Sequence, residues 1–449
     1  MKEFSISALS RIIKSEPTNN TGAFTGVSTD SRTIRPGECF FAITGDNFDG
    51  HNYLTEVFDK GAACAVVSKD VTGDKILKVS DTIKALGDFA REYRRRMNFK
   101  VVAITGSTGK TTTRKIISHV LSQRYRVFEA PKNFNNNIGL PLTLLGAGPE
   151  DEIIIAELGS SFPGEIAYLT GIALPDIAVI TNVYIAHLAG FGTLETIAEE
   201  KLSISQGLSS DGVLIINTDT VPRGTGHEAR IITFGKSTNC DIQAQNIIYK
   251  GLGSSFTIDG TEVKIPLPGA GNVENTLAAW GICSRFAITI DDFTRAVGTL
   301  PAIAMRAEPL QIGTLTVLSD CYNANPASMK NALDILANLG ATEKRRLVFI
   351  CGDMAELGQV SEQLHAELGT SIAEAGVRLL ITVGNLAKIA ANTAKSSPGH
   401  ELQTESFEDT FSACNNLEKF IKDYDIILVK GSRTAGLETV VERLKKLFS

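Results

Sequence analysis

The stretch VVAITGSTGKTTTRKII, Val101 to Ile117, limits what this chain can fold into more than any other part of it. An apolar run breaks at Gly106 and Gly109 and resumes as an amphipathic helical pattern, so a strand must feed a helix through a glycine turn. Such a turn aims backbone N–H groups outward at the positive end of a helix dipole, which suits a phosphate. Lys110 adds a full charge and Thr111 a hydroxyl able to ligate magnesium. The common spacing G-x-x-x-x-G-K-[ST] would need glycine where this chain has Ile104. The loop instead reads G-x-x-G-K-T, a shortened relative of the usual P-loop. An ordinary glycine turn is the bland alternative. G-K-T-T-T directly after a β run favours a nucleotide triphosphate site over Gly106, Ser107, Thr108, Gly109, Lys110, Thr111 and Thr112.

Around that loop, strand-like and helical segments alternate. VVAIT precedes a helix, EIIIAELG precedes PGEIAYLT, IAVITNV precedes LETIAEEKLSISQGL, and GVLIIN follows. Strands that are apolar throughout and separated by helices argue for a parallel sheet covered on both faces, with the chemistry at the carboxyl ends of its strands. GSSFTIDGTEVKIPLPG reads as an antiparallel patch, followed by a helix from Asn272 to about Phe286. LPAIAMRAEPLQIG reads as a connection. Beyond it LTVLSDCYNANPASMKNAL, RRLVFICGDMAEL, RLLITVG and DIILVKGSR restart the α/β pattern. The first segment carries β-like CFFAI and CAVVS with the turn TGDNFDGHN between them, and the arginines of TIKALGDFAREYRRRM read as a solvated face. The predicted class is therefore α/β in three domains, which suits 449 residues at roughly 150 for each. These are a small N-terminal α/β domain over 1–82, a central P-loop ATPase domain with a mostly parallel sheet over 83–308, and a C-terminal Rossmann-like α/β domain over 309–449.

A net charge of -6 argues against a nucleic-acid partner but not against nucleotides, whose binding is governed by local loops and helix ends. The N-terminal MKEFSISALSRIIKSEP lacks the roughly 7 to 15 residue apolar centre of a signal peptide, and no run approaches the ~20 apolar residues of a membrane span. A cytoplasmic location without membrane insertion is expected. The seven cysteines are scattered without a C-x-x-C, which favours buried free thiols.

If Lys110 and Thr111 hold phosphates and a metal, an acidic or imidazole group should project from a neighbouring strand end. Glu157 ends the apolar run IIIAE, where a carboxylate is costly unless it meets a cation or a donor. His187 follows the strand of ITNV by a few residues. Each alone has a plain explanation, a helix-capping glutamate or a satisfied histidine. Together with the phosphate loop in one sheet they have the make-up of an Mg2+ shell. Lys201, among the glutamates of AEEKLSISQGL, reads from spacing alone as half of an exposed ion pair. KNFNNNIGLPLTLL sets Asn133, Asn135, Asn136 and Asn137 before an apolar segment. They are loop-forming asparagines, or amides for a substrate rich in carboxylates and peptide groups, with Asn135 and Asn136 the candidates. In SDCYNANP, Asp320 ends a strand and Asn323, Asn325 and Pro326 turn the chain. A plain turn is one reading, an acid placed for ribose hydroxyls the other.

These motifs together resemble the Mur ligases, the ATP-dependent amide-forming enzymes of peptidoglycan synthesis, over nearly the whole chain. VSTDSRTIRPGECFFAITGDNFDGH is similar to the family's nucleotide-sugar region and TGSTGKTTT to its shortened phosphate loop. NNNIGLPLTLL, ELGSSFPGEI, YNANPASM, GDMAELG and KGSR are similar to the member whose acceptor is D-alanyl-D-alanine. The resemblance implies UDP-N-acetylmuramoyl-tripeptide and D-alanyl-D-alanine as substrates, ATP and two Mg2+ as cofactors, and a monomer. By position it implies that Lys110 contacts the ATP phosphates and that Thr111, Glu157 and His187 help hold Mg2+. It reverses the ion-pair reading of Lys201, which would be carbamylated and present a carboxylate near the metal. Asn275 and the turn holding Asn323 and Asn325 would take the adenine, Asp320 the ribose and Arg306 the γ-phosphate. Ser31 and Arg32 would belong to the UDP-binding loop, and Arg433 would lie near the incoming dipeptide.

The chain departs from the family pattern at Tyr184, where glycine is common, at Gly271, where histidine is common, and at Ser203, where glutamate is usual. The alternatives are a Mur-like ligase with another acceptor and, from a different class, a non-catalytic P-loop protein that uses nucleotide as a switch. A folylpolyglutamate synthetase shares the short loop but has no place for the DSR…DGH region.

Overall fold

The computed structural model describes residues 1–16, 22–131, 133–222, 230–397 and 401–448. Two parallel sheets and one mostly parallel sheet organise it. The N-terminal sheet pairs Gly26–Ser28, Glu38–Phe41, Cys64–Val67 and Ile76–Lys78, all parallel. CFFAI and CAVVS thus supply its two middle strands.

The central sheet has seven parallel strands, in the order Ile242–Gln243, Arg230–Gly235, Val213–Asn217, Ile177–Ile180, Lys100–Thr105, Ile153–Glu157, Val127–Glu129. Its middle strands are buried on both faces, which is why they read as unbroken apolar runs. From Lys100–Thr105 the chain crosses to the Val127–Glu129 edge, returns through Ile153–Glu157, and then resumes on the other side at Ile177–Ile180. The glycine loop after Thr105 therefore stands at the point where strand order reverses, where open parallel sheets leave a crevice.

Gln245–Lys250, Gly253–Ile258 and Thr261–Ile265 form the expected antiparallel patch, and the helix after it runs from Ala270 to Cys283. The C-terminal sheet has the order Glu308–Ile312, Leu315–Asp320, Ile426–Lys430, Leu347–Gly352, Leu379–Val383, Gln403–Phe407. Its first strand is antiparallel and the rest parallel.

Three sequence readings need correction. LPAIAMRAEPLQIG is a connection only at its start, because Glu308–Ile312 is an edge strand paired with Leu315–Asp320. The arginine-rich helix, Thr82–Arg96, is not simply a solvated face. Arg94 turns inward, donates to the Phe99 carbonyl at 3.0 Å and pairs with Asp176 at 2.8 Å, tying this helix to the central sheet. Lys201 is not half of an exposed ion pair but is buried. Cys39, Cys64, Cys283, Cys321 and Cys351 are buried free thiols, as expected, whereas Cys240 and Cys414 are only half-buried. No helix among the described residues is long and apolar enough to cross a membrane.

Candidate active site

The register of the central sheet sets Ile180 beside Thr105 and Glu157 beside Ile104, so three strand ends finish level. The loop between Thr105 and the helix Lys110–Leu121 needs glycine twice. Gly106 has φ +143° and Gly109 φ +80°, and a Cβ would stand 2.0 Å from Thr181 Oγ1 at the first and 2.1 Å from Asn275 Oδ1 at the second. Neighbouring residues clamp the loop. Ser107 N–H donates to the Asn182 carbonyl at 3.1 Å, Thr108 N–H to Asn182 Oδ1 at 2.9 Å, and Thr181 Oγ1 to the Thr108 carbonyl at 2.6 Å. Two loop amides are therefore turned to Asn182. The amides left for an anion are those of the helix N-terminus, which have no intrahelical acceptor.

Lys110 Nζ donates to the Gly106 carbonyl at 2.5 Å, and burial pushes its pKa down to about 8. Thr111 Oγ1 lies 3.3 Å from Glu157 Oε2, as donor, and 3.2 Å from Arg306 Nη2, as acceptor. Glu157 is 3% exposed and meets the cation its position demanded, with Arg114 Nε 3.0 Å from Oε1. Arg114 lies on the first turns of the same helix as Lys110; its place one turn beyond the loop was the overlooked signal. The pair makes no well-aligned hydrogen bond, so Glu157 Oε1 and Arg114 Nε are buried polar atoms without one.

His187 has φ +52° and stands at the start of the short helix Leu188–Phe191. Its Nδ1 touches Glu356 Oε2 of the GDMAELG loop in the C-terminal domain, and Ala189 N–H donates to the Glu356 carbonyl at 3.1 Å. Burial lowers the His187 pKa, Glu356 opposes that, and Lys110 adds to it. Lys201 Nζ donates to Ser160 Oγ at 2.6 Å and lies 5.5 Å from the Phe191 ring centre. Burial, reinforced by Lys110, brings its pKa down to about 7. Its neighbour Glu200 is spent on Gly164 and Ile166 amides, both at 2.7 Å.

Two cavities meet at this loop. One, of about 430 Å³, runs past Ser107, Thr108, Gly109 and Thr112 to Tyr184, Gly271, Asn275, Asp320, Asn323 and Asn325. The other, of about 480 Å³, holds Lys110, Thr111, Glu157, Ser160, His187, Asn135 and Asn136. Ser107, Thr108, Gly109, Arg306 and Asn323 wall both. Arg306 sits in the link to the C-terminal sheet between Met305 at φ +55° and Ala307 at φ +49°, its guanidinium 4.0 Å from the Tyr322 ring centre.

The structure does not bring every candidate together. Ser31, Arg32 and Arg433 line neither cavity. Ser31 gives its carbonyl to Lys60 at 2.8 Å, Arg32 pairs with Asp30 at 2.6 Å, and Arg433 with Glu438 at 3.0 Å. The Asp30 pKa falls to about 2, chiefly through the Arg32 bond. Several amides are also at work locally. Asn136 Oδ1 accepts from Gly139 N–H at 2.8 Å at the head of helix Gly139–Gly146, and Asn325 caps helix Pro326–Glu343 by accepting from Ser328 N–H at 2.9 Å. Asp320 is held by Lys430 at 2.6 Å and by Ala307 N–H at 3.1 Å, a consequence of the register that sets Asp320 opposite Lys430. Lys430, inside the KGSR motif, was missed because burial of a strand-end lysine shows only once its partner strand is known.

Comparison with known proteins gives this geometry a family. Residues 23–94 match the Mur ligase family catalytic domain, 104–283 the Mur ligase middle domain, and 305–433 the Mur ligase glutamate ligase domain. A Bacillus subtilis protein named UDP-N-acetylmuramoyl-tripeptide--D-alanyl-D-alanine ligase is 36% identical over 431 residues, covering 93% of each chain. The chain belongs to the Mur ligase family. Among solved structures, MurF from Acinetobacter baumannii has a TM-score of 0.89 at 27% identity over 99% of each chain. MurF from Thermotoga maritima in complex with ADP has a TM-score of 0.80 at 28% identity, covering 94% of this chain and 97% of that one. This Mur ligase is thus an α/β ATP-dependent ligase, and the family resemblance drawn from its motifs holds.

Proposed function

We propose that this enzyme joins D-alanyl-D-alanine to the terminal carboxylate of UDP-N-acetylmuramoyl-tripeptide with ATP as activator. The observation that carries this reading is the shared wall. A nucleotide bound in the 430 Å³ cavity with its phosphates on the Gly106–Gly109 loop would reach the wall that this cavity shares with the 480 Å³ one. That second space is lined by Lys110, Asn135 and Asn136, groups suited to a peptide carboxylate.

A carboxylate does not condense with an amine at neutral pH because its oxygen is a poor leaving group. In the reaction proposed here, the carboxylate attacks the γ-phosphorus, ADP leaves, and an acyl phosphate forms. The dipeptide amine then adds to the acyl carbon, and phosphate departs from the tetrahedral adduct with loss of the amine proton. Lys110 and Arg306 flank the transferring phosphoryl and offset its charge. Glu157 Oε2 and the Thr111 hydroxyl 3.3 Å from it fit a hard divalent cation, as does His187 once it parts from Glu356, while Oε1 stays with Arg114. Mg2+ held there would supply charge neutralisation on the phosphoryl oxygens. Among the described residues no three His, Cys, Asp or Glu side chains converge, so water and substrate oxygens would complete that shell. Lys201, half neutral near pH 7, suits carbamylation, in which its free amine adds to carbon dioxide and releases a proton to leave a carbamate beside Ser160.

Asn275, Asn323 and Asn325 are assigned to the base side, Asp320 to the ribose, Ser31 and Arg32 to the nucleotide sugar, and Arg433 to the dipeptide. The last three lie outside both cavities, so the C-terminal and N-terminal domains must close for catalysis. The test is phosphate release with UDP-MurNAc-tripeptide and D-Ala-D-Ala, with other dipeptides and single amino acids as comparison. Turnover with D-Ala-D-Ala and its loss in Lys110→Ala support the proposal. Preference for another acceptor assigns a different Mur reaction, and turnover indifferent to any peptide returns the chain to the nucleotide-switch class.

A further inference from the structure

The larger part of the nucleotide cavity is walled by small, amide-bearing or charged residues, and Tyr184 carries the only aromatic ring lining it among the described residues. The backbone that carries that ring is tied to the phosphate loop. Tyr184 N–H donates to Ser107 Oγ at 2.9 Å, and Ser107 Oγ in turn lies 2.8 Å from the Tyr184 carbonyl. Tyr184 therefore enters the cavity from a point next to the loop, within the space that a ligand on the loop would share. Elsewhere on the wall, Gly271 N–H donates to Asn331 Oδ1 at 3.0 Å, and a Cβ at Gly271 would press to 3.3 Å on that amide. Bulk absent at Gly271 is present at Tyr184, in the same cavity.

The same cavity is lined by Glu274, whose side chain is 7% exposed. Its Oε1 meets Lys236 Nζ at 2.7 Å and its Oε2 accepts from Asn217 Nδ2 at 3.3 Å. A carboxylate offers about four lone-pair sites, so Glu274 keeps acceptor capacity after both bonds. The Tyr184 pKa is raised by burial and by Glu274 and lowered by Lys236, which is consistent with the three groups sharing one corner of the cavity.

We propose that Tyr184 and Glu274 set base specificity: the ring stacks on the purine, and the Glu274 carboxylate accepts from an exocyclic 6-amino group. Guanine would bring its O6 acceptor against that carboxylate, two negative dipoles facing each other, so adenine is chosen over guanine. Asn275, in the same cavity, gives its Oδ1 to Thr113 and its Nδ2 to Asn272, both at 3.3 Å, so its amide is partly engaged before any base arrives.

This inference rests on the nucleotide reading of the cavity, and the experiment separates the two. ADP, GDP and inorganic tripolyphosphate are titrated calorimetrically into the full-length wild type, Tyr184→Ala, Tyr184→Phe and Glu274→Gln. Losing one base–aromatic stack should weaken ADP about tenfold or more in Tyr184→Ala. Tyr184→Phe should stay within about twofold of wild type, tripolyphosphate should bind all four proteins alike, and Glu274→Gln should narrow the ADP-over-GDP preference. Unchanged ADP affinity in Tyr184→Ala overturns the proposal, as does a parallel loss of tripolyphosphate, which would mean that the substitution disturbs the phosphate loop rather than a contact with the base. Wild type binding tripolyphosphate but neither nucleotide also overturns it and leaves the phosphate loop standing. Wild type binding none of the three removes the nucleotide reading itself.

Discussion

Lys201→Met should make the central domain more stable, and by an amount that depends on pH. The wild-type amine is 3% exposed, and burial brings its pKa from the ordinary 10.5 to about 7. A lysine lowered in this way binds fewer protons folded than unfolded between about pH 7 and 10.5, so its penalty is full below pH 7 and fades as pH rises. Integrating between those two values gives a penalty of roughly 5 kcal/mol at pH 6 and about 2 kcal/mol at pH 9. Methionine removes the charge, keeps an unbranched apolar stem against Phe191, and forfeits the Ser160 bond, worth roughly 1–2 kcal/mol. The net gain is therefore about 3 kcal/mol at pH 6 and close to 1 kcal/mol at pH 9. Lys110 titrates in both proteins and cancels to first order. The measurement is urea denaturation in CO2-free buffer followed by Trp280 fluorescence. Trp280 is the single tryptophan of the chain and lies on the central helix Ala270–Cys283, so it reports this domain alone. If the two proteins unfold together at pH 6, or keep a constant gap from pH 6 to pH 9, then Lys201 is not held as a buried cation and the argument fails. The same variant should lose ligase activity, because Met cannot carry a carbamate.

Three further outcomes follow from the same geometry. Gly109→Ala forces an L side chain into φ +80° with its Cβ 2.1 Å from Asn275 Oδ1; ADP affinity should fall tenfold or more by calorimetry while far-ultraviolet circular dichroism is unchanged. Asp320→Asn strands the buried Lys430 ammonium without its counter-charge and should cost about 3 kcal/mol in denaturant stability, whereas Asp320→Asn combined with Lys430→Met should recover most of it. Glu356→Gln keeps the backbone contact to Ala189 but weakens the grip on His187; affinity for Mg2+ in the presence of ADP should rise severalfold, and an unchanged affinity would show that Glu356 does not compete for that imidazole.

What could be read from residue order and what could not divide along a physical line. The strand, glycine turn and helix start around Gly106 and Gly109 were legible because they are local, set by residues within a dozen positions of one another. Glu157 was legible for a different reason. A carboxylate ending the apolar run IIIAE is costly unless it is paired, so the sequence demanded a cation without naming it, and the fold supplied Arg114 at 3.0 Å. Lys201 was misread from spacing because burial is a tertiary property. Glutamates at positions 199 and 200 suggest surface, yet Glu200 is itself buried, capping the helix that begins at Glu165. Asp320 shows the limit from the other side. Its place at a strand end suggested ribose, but strand order brings Lys430, 110 residues away, directly opposite it. An acid that already holds a buried lysine and the Ala307 amide has less capacity for a sugar hydroxyl than a free one. The same contact fixes Ala307, and with it the neighbouring Arg306, against the Thr111 hydroxyl of the phosphate loop. A long-range ion pair in the C-terminal sheet therefore helps to set where the Arg306 guanidinium stands beside Thr111, and only the register of two strands far apart in sequence could reveal it.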